Sequence, residues 1–462
     1  MIRSSVNPKS IWLVVSAVIL SALGGLGVAY TSGSLQYFMF FFLLVSLVLA
    51  FIMTKNPFLS GFALWIWFFI LGYRAVHVTS NFSLHPLIVL LVLLSLFLLI
   101  YSKSASAGRL RLPLLLWVFS FFWLWGFVPG LLNGVPLDKM LSEALNFFFI
   151  LPLFLVMLFL SRYPQFWRRA ALTFLGSGIV IALFGALEYF VPPFRALLAG
   201  FAPSEEAGIV SQSGFIRASF TFFGANPAVL ISALAVPMVG VIPVYFKPRA
   251  ARFMSLAALA ILGVGIYISG SRAAWLMLLI SSILMAYFYL KIPGVGAVAL
   301  FWVLASRFLP ASAWNLLLSI STPLASGQFL DTSMEKRFVR QQTALDLAWQ
   351  NPLGLGWTGA GWVHGDFAQV AANLGILAAL VFLAWYLFTL YRALKVYRNN
   401  PHDRLFQALL TGFVLAGFVL ATEGVQVLPQ YAMPVWFVWG LMECYLQRRA
   451  VDKPAARGGE LD

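Results

Sequence analysis

Apolar runs broken by glycine, proline or charge recur along almost the whole chain, and each is long enough to cross roughly 30 Å of hydrocarbon as a helix. About fourteen of them begin near Ile11, Gln36, Phe58, His85, Leu112, Leu145, Ala170, Ala225, Met254, Ala273, Ile292, Ala371, Leu405 and Pro429. Helices are expected because lipid offers backbone amides no partner. The pattern predicts an all-α polytopic membrane protein with about 12–14 transmembrane helices, the shortest runs fitting re-entrant or merged segments as well.

Two longer polar interruptions divide the chain. Membrane helices are expected over 1–192, an outer (periplasmic) connection over 193–224, and further membrane helices over 225–309. A long outer loop over 310–370, C-terminal membrane helices over 371–447 and a disordered cytoplasmic tail over 448–462 complete the division. Arg3 and Lys9 precede an apolar run to Tyr30 that is longer than the core of a signal peptide, so it is expected to stay as the first helix.

Composition agrees with a bilayer as solvent, since 61% of the residues are hydrophobic, 10% are charged and the mean hydropathy is +0.91. The net charge of +15 is explained by topology. An even number of spans puts both termini on one side. The tails and the loops on that side then hold 21 of the 30 Lys and Arg, which makes it the cytoplasmic side. Basic residues spread over many short loops do not form a nucleic-acid surface. Cys444 is the single cysteine, so neither an internal disulfide nor a cysteine metal cluster is expected.

The long loop has an order of its own. Thr332 followed by Glu335 is a capping-box pattern, and Phe338, Leu345 and Trp349 recur at helical spacing until Asn351-Pro352. An amphipathic helix is predicted over Met334–Gln350, lying on the membrane surface. Lys336, Arg337 and Arg340 fall on or beside its polar face, where ordinary interfacial anchoring and a role in binding both account for them. Gly354 to Gly361 then satisfies G-x-G-x-x-G, but the dinucleotide fingerprint has meaning only between a strand and a helix. Here the glycines fit a tight turn and close backbone approach to a polar group.

His364 follows directly, and it is the only imidazole in this region, His77, His85 and His402 lying elsewhere. Histidine titrates near neutrality, which suits a general base for a hydroxyl nucleophile, although a lone surface histidine is usually inert. Nine of the 30 basic residues fall on the outer side against the charge bias, and among them Arg217 and Arg272 stand out. Arg217 precedes a span entered through Asn226-Pro227, and Arg272 lies in a sharp Ser-Gly-Ser-Arg turn between two apolar helices. A guanidinium there can snorkel, or it can hold a phosphate by charge-assisted hydrogen bonds.

Three segments resemble the O-antigen ligase and polymerase superfamily of bacterial membrane glycosyltransferases: RASFTFFGANP from Arg217 to Pro227, SGSRAAWL from Ser269 to Leu276, and NPLGLGWTGAGWVHGDFAQVAANLGIL from Asn351 to Leu377. The resemblance implies a GT-C-like membrane fold. It also implies an undecaprenyl diphosphate-linked glycan as donor, a hydroxyl of a glycan or of lipid A-core as acceptor, and no metal or other cofactor. Arg217, Arg272 and Arg340 match family arginines expected to hold the diphosphate, and His364 the histidine expected to activate the acceptor. The family often has Asn after that histidine, and this chain has Gly365, so a role for the amide is absent or passes to Asp366, Gln369 or Asn373. Arginines neutralising the leaving diphosphate would spare a general acid, and attack opposite it would invert the anomeric centre. Arg337 is a possible supporting cation.

Glu188, taken as the only acidic residue well inside a span, and Glu423, at an outer helix end, fit either a structural role or the orientation of an arginine. The alternative class is a polytopic transporter or lipid-linked glycan flippase, which would concentrate ionisable residues near the midplane and often repeat its halves.

Overall fold

The computed structural model describes residues 76–77, 83–84, 114–148, 150–162, 166–199, 209–212, 215–218, 225–307, 332–361, 363, 365–423 and 429–452. The spans expected near Ile11, Gln36, Phe58 and His85, the histidine His364 and the tail beyond Asp452 lie outside the described residues.

The described chain is almost entirely helical. Its helices are α1 (Leu114–Trp125), α2 (Phe127–Leu132), α3 (Leu137–Phe148), α4 (Ile150–Leu160), α5 (Phe166–Phe190), α6 (Pro192–Ala199), α7 (Ala225–Ala235), α8 (Ile242–Tyr245), α9 (Pro248–Ser269), α10 (Arg272–Ser306), α11 (Thr332–Gln350), α12 (Asp366–Leu374), α13 (Ile376–Asn399), α14 (Arg404–Thr422) and α15 (Pro429–Asp452). Two small antiparallel hairpins, β1 (Val76–His77) with β2 (Ser83–Leu84) and β3 (Ile209–Gln212) with β4 (Phe215–Ala218), are the strands among them. Among the described residues, six helical stretches are long and apolar enough to cross a membrane: Leu137–Leu160, Phe166–Phe190, Pro248–Ser269, Arg272–Leu304, Ile376–Asn399 and Arg404–Thr422. Large apolar side chains such as Trp117, Phe253, Leu256, Phe301 and Leu377 are exposed on the outside of the body. A multi-pass membrane protein results, with lipid as the solvent of that exterior.

The expected spans near Ala273 and Ile292 share α10. Lys291, with φ 59 and ψ −149, breaks the helix two residues before Pro293. A Cβ on Gly294 would overlap Leu290 and come 2.7 Å from Ala286 O, whereas eight residues of straight helix would separate these positions by about 12 Å. The chain therefore folds back here, and α10 has two arms.

Lipid supplies no hydrophobic drive between helices, so close packing and polar pairing hold them together. Small residues do the first between α5, α7 and α9, where Gly178 meets Ala235 and Gly265 meets Ala182. Aromatic stacking fills the centre: Trp436 and Trp439 lie 4.9 Å apart at 13°, and Trp385 lies 4.7 Å from Trp439. Polar pairing is represented by Glu443 on α15, which accepts from Thr389 Oγ1 at 2.5 Å, Trp385 Nε1 at 3.3 Å and Arg392 Nη1 at 3.0 Å.

Contrary to the expectation for Glu188, it is not the only acidic side chain buried inside a helix of the body. Glu188 is buried at 0% exposure, but Glu443 at 1% and Glu143 at 8% are buried in helices too. Their partners come from distant segments, which local hydropathy does not register.

Helix direction follows from a few contacts. The Arg404 guanidinium lies 5.4 Å over the Tyr289 ring, Thr411 Oγ1 lies 3.6 Å from Met285 Sδ, and Lys291 Nζ lies 3.4 Å from Tyr397 Oη. The first arm of α10 thus runs antiparallel to α14, and its Arg272 end comes level with Glu423. At the other end cations sit over aromatic rings, Arg168 over Tyr245 and Arg449 over Tyr445. Asp403 caps α14 there through Phe406 N and pairs with Arg449 at 2.8 Å.

Candidate functional site

The Arg272 end of the body is built by α11, the loop after it and the short helix α12. Phe338, Leu345 and Trp349 make the helical spacing of α11, yet all three are exposed. Its inward face consists of Ala344 and Ala348. Ala344 packs with Val363, Ala368 and Ala372, and small side chains let the two helices approach closely.

After Asn351-Pro352 the chain lies against the body through backbone bonds. Leu355 N donates to Ala372 O at 2.9 Å, Gly356 N to Asn373 O at 2.8 Å and Trp357 N to Gly126 O at 3.2 Å. Indoles tie the same strip down, Trp125 Nε1 on Leu353 O at 3.0 Å and Trp357 Nε1 on Trp123 O at 3.0 Å. Gly356 has φ 88, and a Cβ there would overlap the backbone of Gly130. The close approach expected of the glycines is thus to the protein itself. With these amides taken, and with a helix instead of a strand before it, the segment is not a dinucleotide loop.

Three side chains hold the next stretch. Ala360 N donates to Asn373 Oδ1 at 3.0 Å, Val363 N to Gln369 Oε1 at 2.7 Å, and Gln369 Nε2 to Gly361 O at 2.8 Å. Asn373 Nδ2 in turn donates to Glu143 Oε1 at 3.0 Å, with the Thr358 backbone N–H beside the same carboxyl group. Both ends of the Gln369 and Asn373 amides are therefore committed to structure. Sequence reading named Gln369 and Asn373 but missed Glu143, whose partner lies 230 positions away.

Gly365, at φ 91, opens α12. A Cβ on it would overlap Gln341 Nε2 and come 3.0 Å from Ala421 O, while Gln341 Nε2 itself donates to Ala421 O at 3.0 Å. One turn earlier on α11, Arg337 Nη1 lies 2.6 Å from Glu423 Oε1. Arg337, Gln341, Gly365 and Glu423 are thus gathered where α11, α12 and α14 meet. Asp366, fully buried, stands in the first turn of α12, where a carboxylate complements the helix dipole. His364 precedes Gly365 in the chain and lies outside the described residues.

Arg272 opens α10 at the same end. The turn before it is set by Gly270 at φ 59, and Ser269 Oγ donates to Ile266 O at 2.6 Å and accepts from Ser271 N at 3.1 Å. Ala274 N donates to Ser271 Oγ at 3.4 Å. Arg272 itself is half-buried. Arg217 lies on β4 opposite Val210, in a hairpin that packs on α5 and α9; its side chain is outside the described residues. Arg340 is exposed on α11. Arg195, another outer arginine, is used by the last carbonyls of α5, Glu188 O at 3.2 Å and Tyr189 O at 2.9 Å.

Among the described residues no three His, Cys, Asp or Glu side chains converge as a metal site. No protein-family model and no curated protein matches the chain.

Proposed function

We propose that the chain is a glycosyltransferase of the inner membrane that moves a glycan from undecaprenyl diphosphate to a hydroxyl of a glycan or lipid A-core acceptor. The observation that carries the reading is that the Arg272 turn, the Arg337–Glu423 pair and the Gly365 end of α12 lie at the same end of the bundle. A diphosphate needs cations held near the membrane boundary, and guanidinium groups suit it through paired hydrogen bonds. Arg272, with Arg217 and Arg340, would hold that group and neutralise the charge that develops as it leaves. His364 would take the proton of the acceptor hydroxyl as it attacks the anomeric carbon, with inversion.

The opposite end carries Arg168, Lys291, Arg404 and Arg449 over aromatic rings, which favours that end as cytoplasmic and the Arg272 end as periplasmic. A GT-C-like architecture is part of the same proposal. The transporter reading would draw on buried carboxylates, and two of them are engaged by the fold, Glu443 with Arg392 and Glu143 with Asn373.

The test is incubation of the purified chain in detergent with an undecaprenyl diphosphate-linked oligosaccharide, with and without lipid A-core, followed by gel separation. Transfer to lipid A-core identifies a ligase and a ladder without it a polymerase. No product from several donors, together with transport in liposomes, overturns the reading in favour of a transporter.

A further inference from the structure

We infer that Glu143, on α3, is a positioning residue for the segment that carries His364, acting through Asn373 and alongside Gln369. The meaning of that segment rests on the transferase reading; the clamp itself rests on hydrogen bonds.

From Trp357 to Gly361 the local bonds are two turns, Gly359 N to Gly356 O at 3.0 Å and Gly361 N to Thr358 O at 3.1 Å. Thr358 has φ 63, a left-handed conformation that a residue with a Cβ occupies at a cost of roughly 1–2 kcal/mol, while Gly361, at φ 65, adopts it freely. No regular ladder satisfies the amides from Trp357 to Val363. Two of them, at Ala360 and Val363, donate to Asn373 and Gln369, the Gly361 carbonyl accepts from Gln369, and the Thr358 N–H lies toward Glu143. Asn373 and Gln369 lie one turn apart on the buried helix α12. Glu143 is the member of this clamp that comes from another helix, so it fixes the loop and α12 to α3 together.

The roles of donor and acceptor are specific. Asn373 Nδ2 can only donate, so the Glu143 oxygen at 3.0 Å is the acceptor of the pair, and the Thr358 N–H lies toward the same carboxyl group. That choice turns the other end of the Asn373 amide, Oδ1, toward Ala360 N. A glutamine at 143 would set its own NH2 against one of two donors, leaving a buried donor unmatched. An aspartate at 373 would set two carboxylates face to face. The pair E143Q with N373D restores the pairing with its direction reversed: the new amide donates to the new carboxylate and turns its oxygen toward the Thr358 N–H, and the new carboxylate still accepts from Ala360.

The experiment compares the full-length chain with E143Q, N373D and the double variant in detergent. Hydrogen–deuterium exchange is read for the peptide spanning 357–363, and kcat and KM for transfer from an undecaprenyl diphosphate-linked oligosaccharide. Each single variant should speed exchange in that peptide and lower kcat on the order of 10²-fold, the scale of a misplaced catalytic group. The KM for the donor should stay unchanged, because Arg272 is untouched. The double variant should recover both slow exchange and kcat. Unchanged exchange in E143Q, or a double variant that exchanges or folds no better than the single ones, overturns the inference. If the wild-type chain transfers nothing while the exchange pattern and its rescue hold, the clamp stands and the transferase reading falls.

Discussion

Arg337 Nη1 on α11 lies 2.6 Å from Glu423 Oε1 at the end of α14, and this ion pair joins the surface helix to the membrane body one turn from the Gln341–Ala421 bond. The Arg337 side chain keeps 31% of its exposure and the Glu423 side chain 9%, so the pair lies between the exposed and buried limits. A coupling on the order of 1–2 kcal/mol is expected. A double-mutant cycle of Arg337→Ala and Glu423→Gln, followed by thermal unfolding in detergent, should show non-additive losses. Additive losses would show that the two side chains stabilise the fold independently.

Arg272→Ala and His364→Ala should each abolish detectable glycan transfer while membrane insertion stays intact. Removing one preorganised group that stabilises transition-state charge costs roughly 10²–10³-fold. Arg272 opens α10 after a turn fixed by Gly270 and the two serines, so its loss leaves the backbone in place. Transfer at the wild-type level by both variants would exclude the assignment of these residues.

The spans were legible because a long apolar run states its own requirement: α5, α9, α13 and α14 each fall on an expected run. Even the two arms of α10 could be separated at Lys291-Ile292-Pro293. The helix after Thr332 was readable from its cap and spacing. Which side of it faces the body was not, because Ala344 and Ala348 carry little hydropathy signal and pack through their smallness. The helix α12 was hidden for a related reason. Asp366 and Gln369 fall in the expected outer loop and Asn373 at the start of the span expected near Ala371, yet all are buried, two of them because the neighbouring backbone needs their amides. Glu143 was out of reach of local pattern altogether, its partner being on the far side of the chain.

Gly356→Ala should prevent folding, since its Cβ would overlap the Gly130 backbone at a φ of 88. Gly361→Ala supplies the contrast. Nothing lies within 4 Å of a Cβ there, so only the left-handed strain at φ 65 remains, roughly 1–2 kcal/mol. Size-exclusion chromatography in detergent should give a monodisperse peak for the second variant and not for the first. Equal peaks would mean that the loop does not pack on α2 as described.

Arg392→Ala should be more damaging than Glu443→Gln. Glu443 has a side chain only 1% exposed, and without Arg392 at 3.0 Å its charge is left buried with neutral donors alone, a loss of roughly 3–5 kcal/mol. A glutamine at 443 can still accept from Thr389 Oγ1 and Trp385 Nε1. Combining the two substitutions should therefore recover part of the stability lost in Arg392→Ala, as measured by the temperature of half-unfolding in detergent. A double variant less stable than Arg392→Ala would contradict this account.

The exposed ridge of α11 should lie in lipid. Phe338, Leu345 and Trp349 share one side of the helix, with Trp349 75% exposed, while Lys336 stands on the opposite side. The ridge continues into exposed Leu353, whose carbonyl accepts from Trp125, and so meets the apolar outer face of α1 with Trp117, Phe121 and Leu124. Water would face this continuous apolar surface at a cost that acyl chains remove. Cys444 is the chain's single cysteine and is buried, so a spin label can be directed to Leu345→Cys or Lys336→Cys. In liposomes the label at 345 should collide more with oxygen, which concentrates in lipid, than with a water-soluble nickel chelate, and the label at 336 should show the reverse order. A label at 345 relaxed mainly by the chelate would place α11 in water, and its apolar ridge would then need a protein partner.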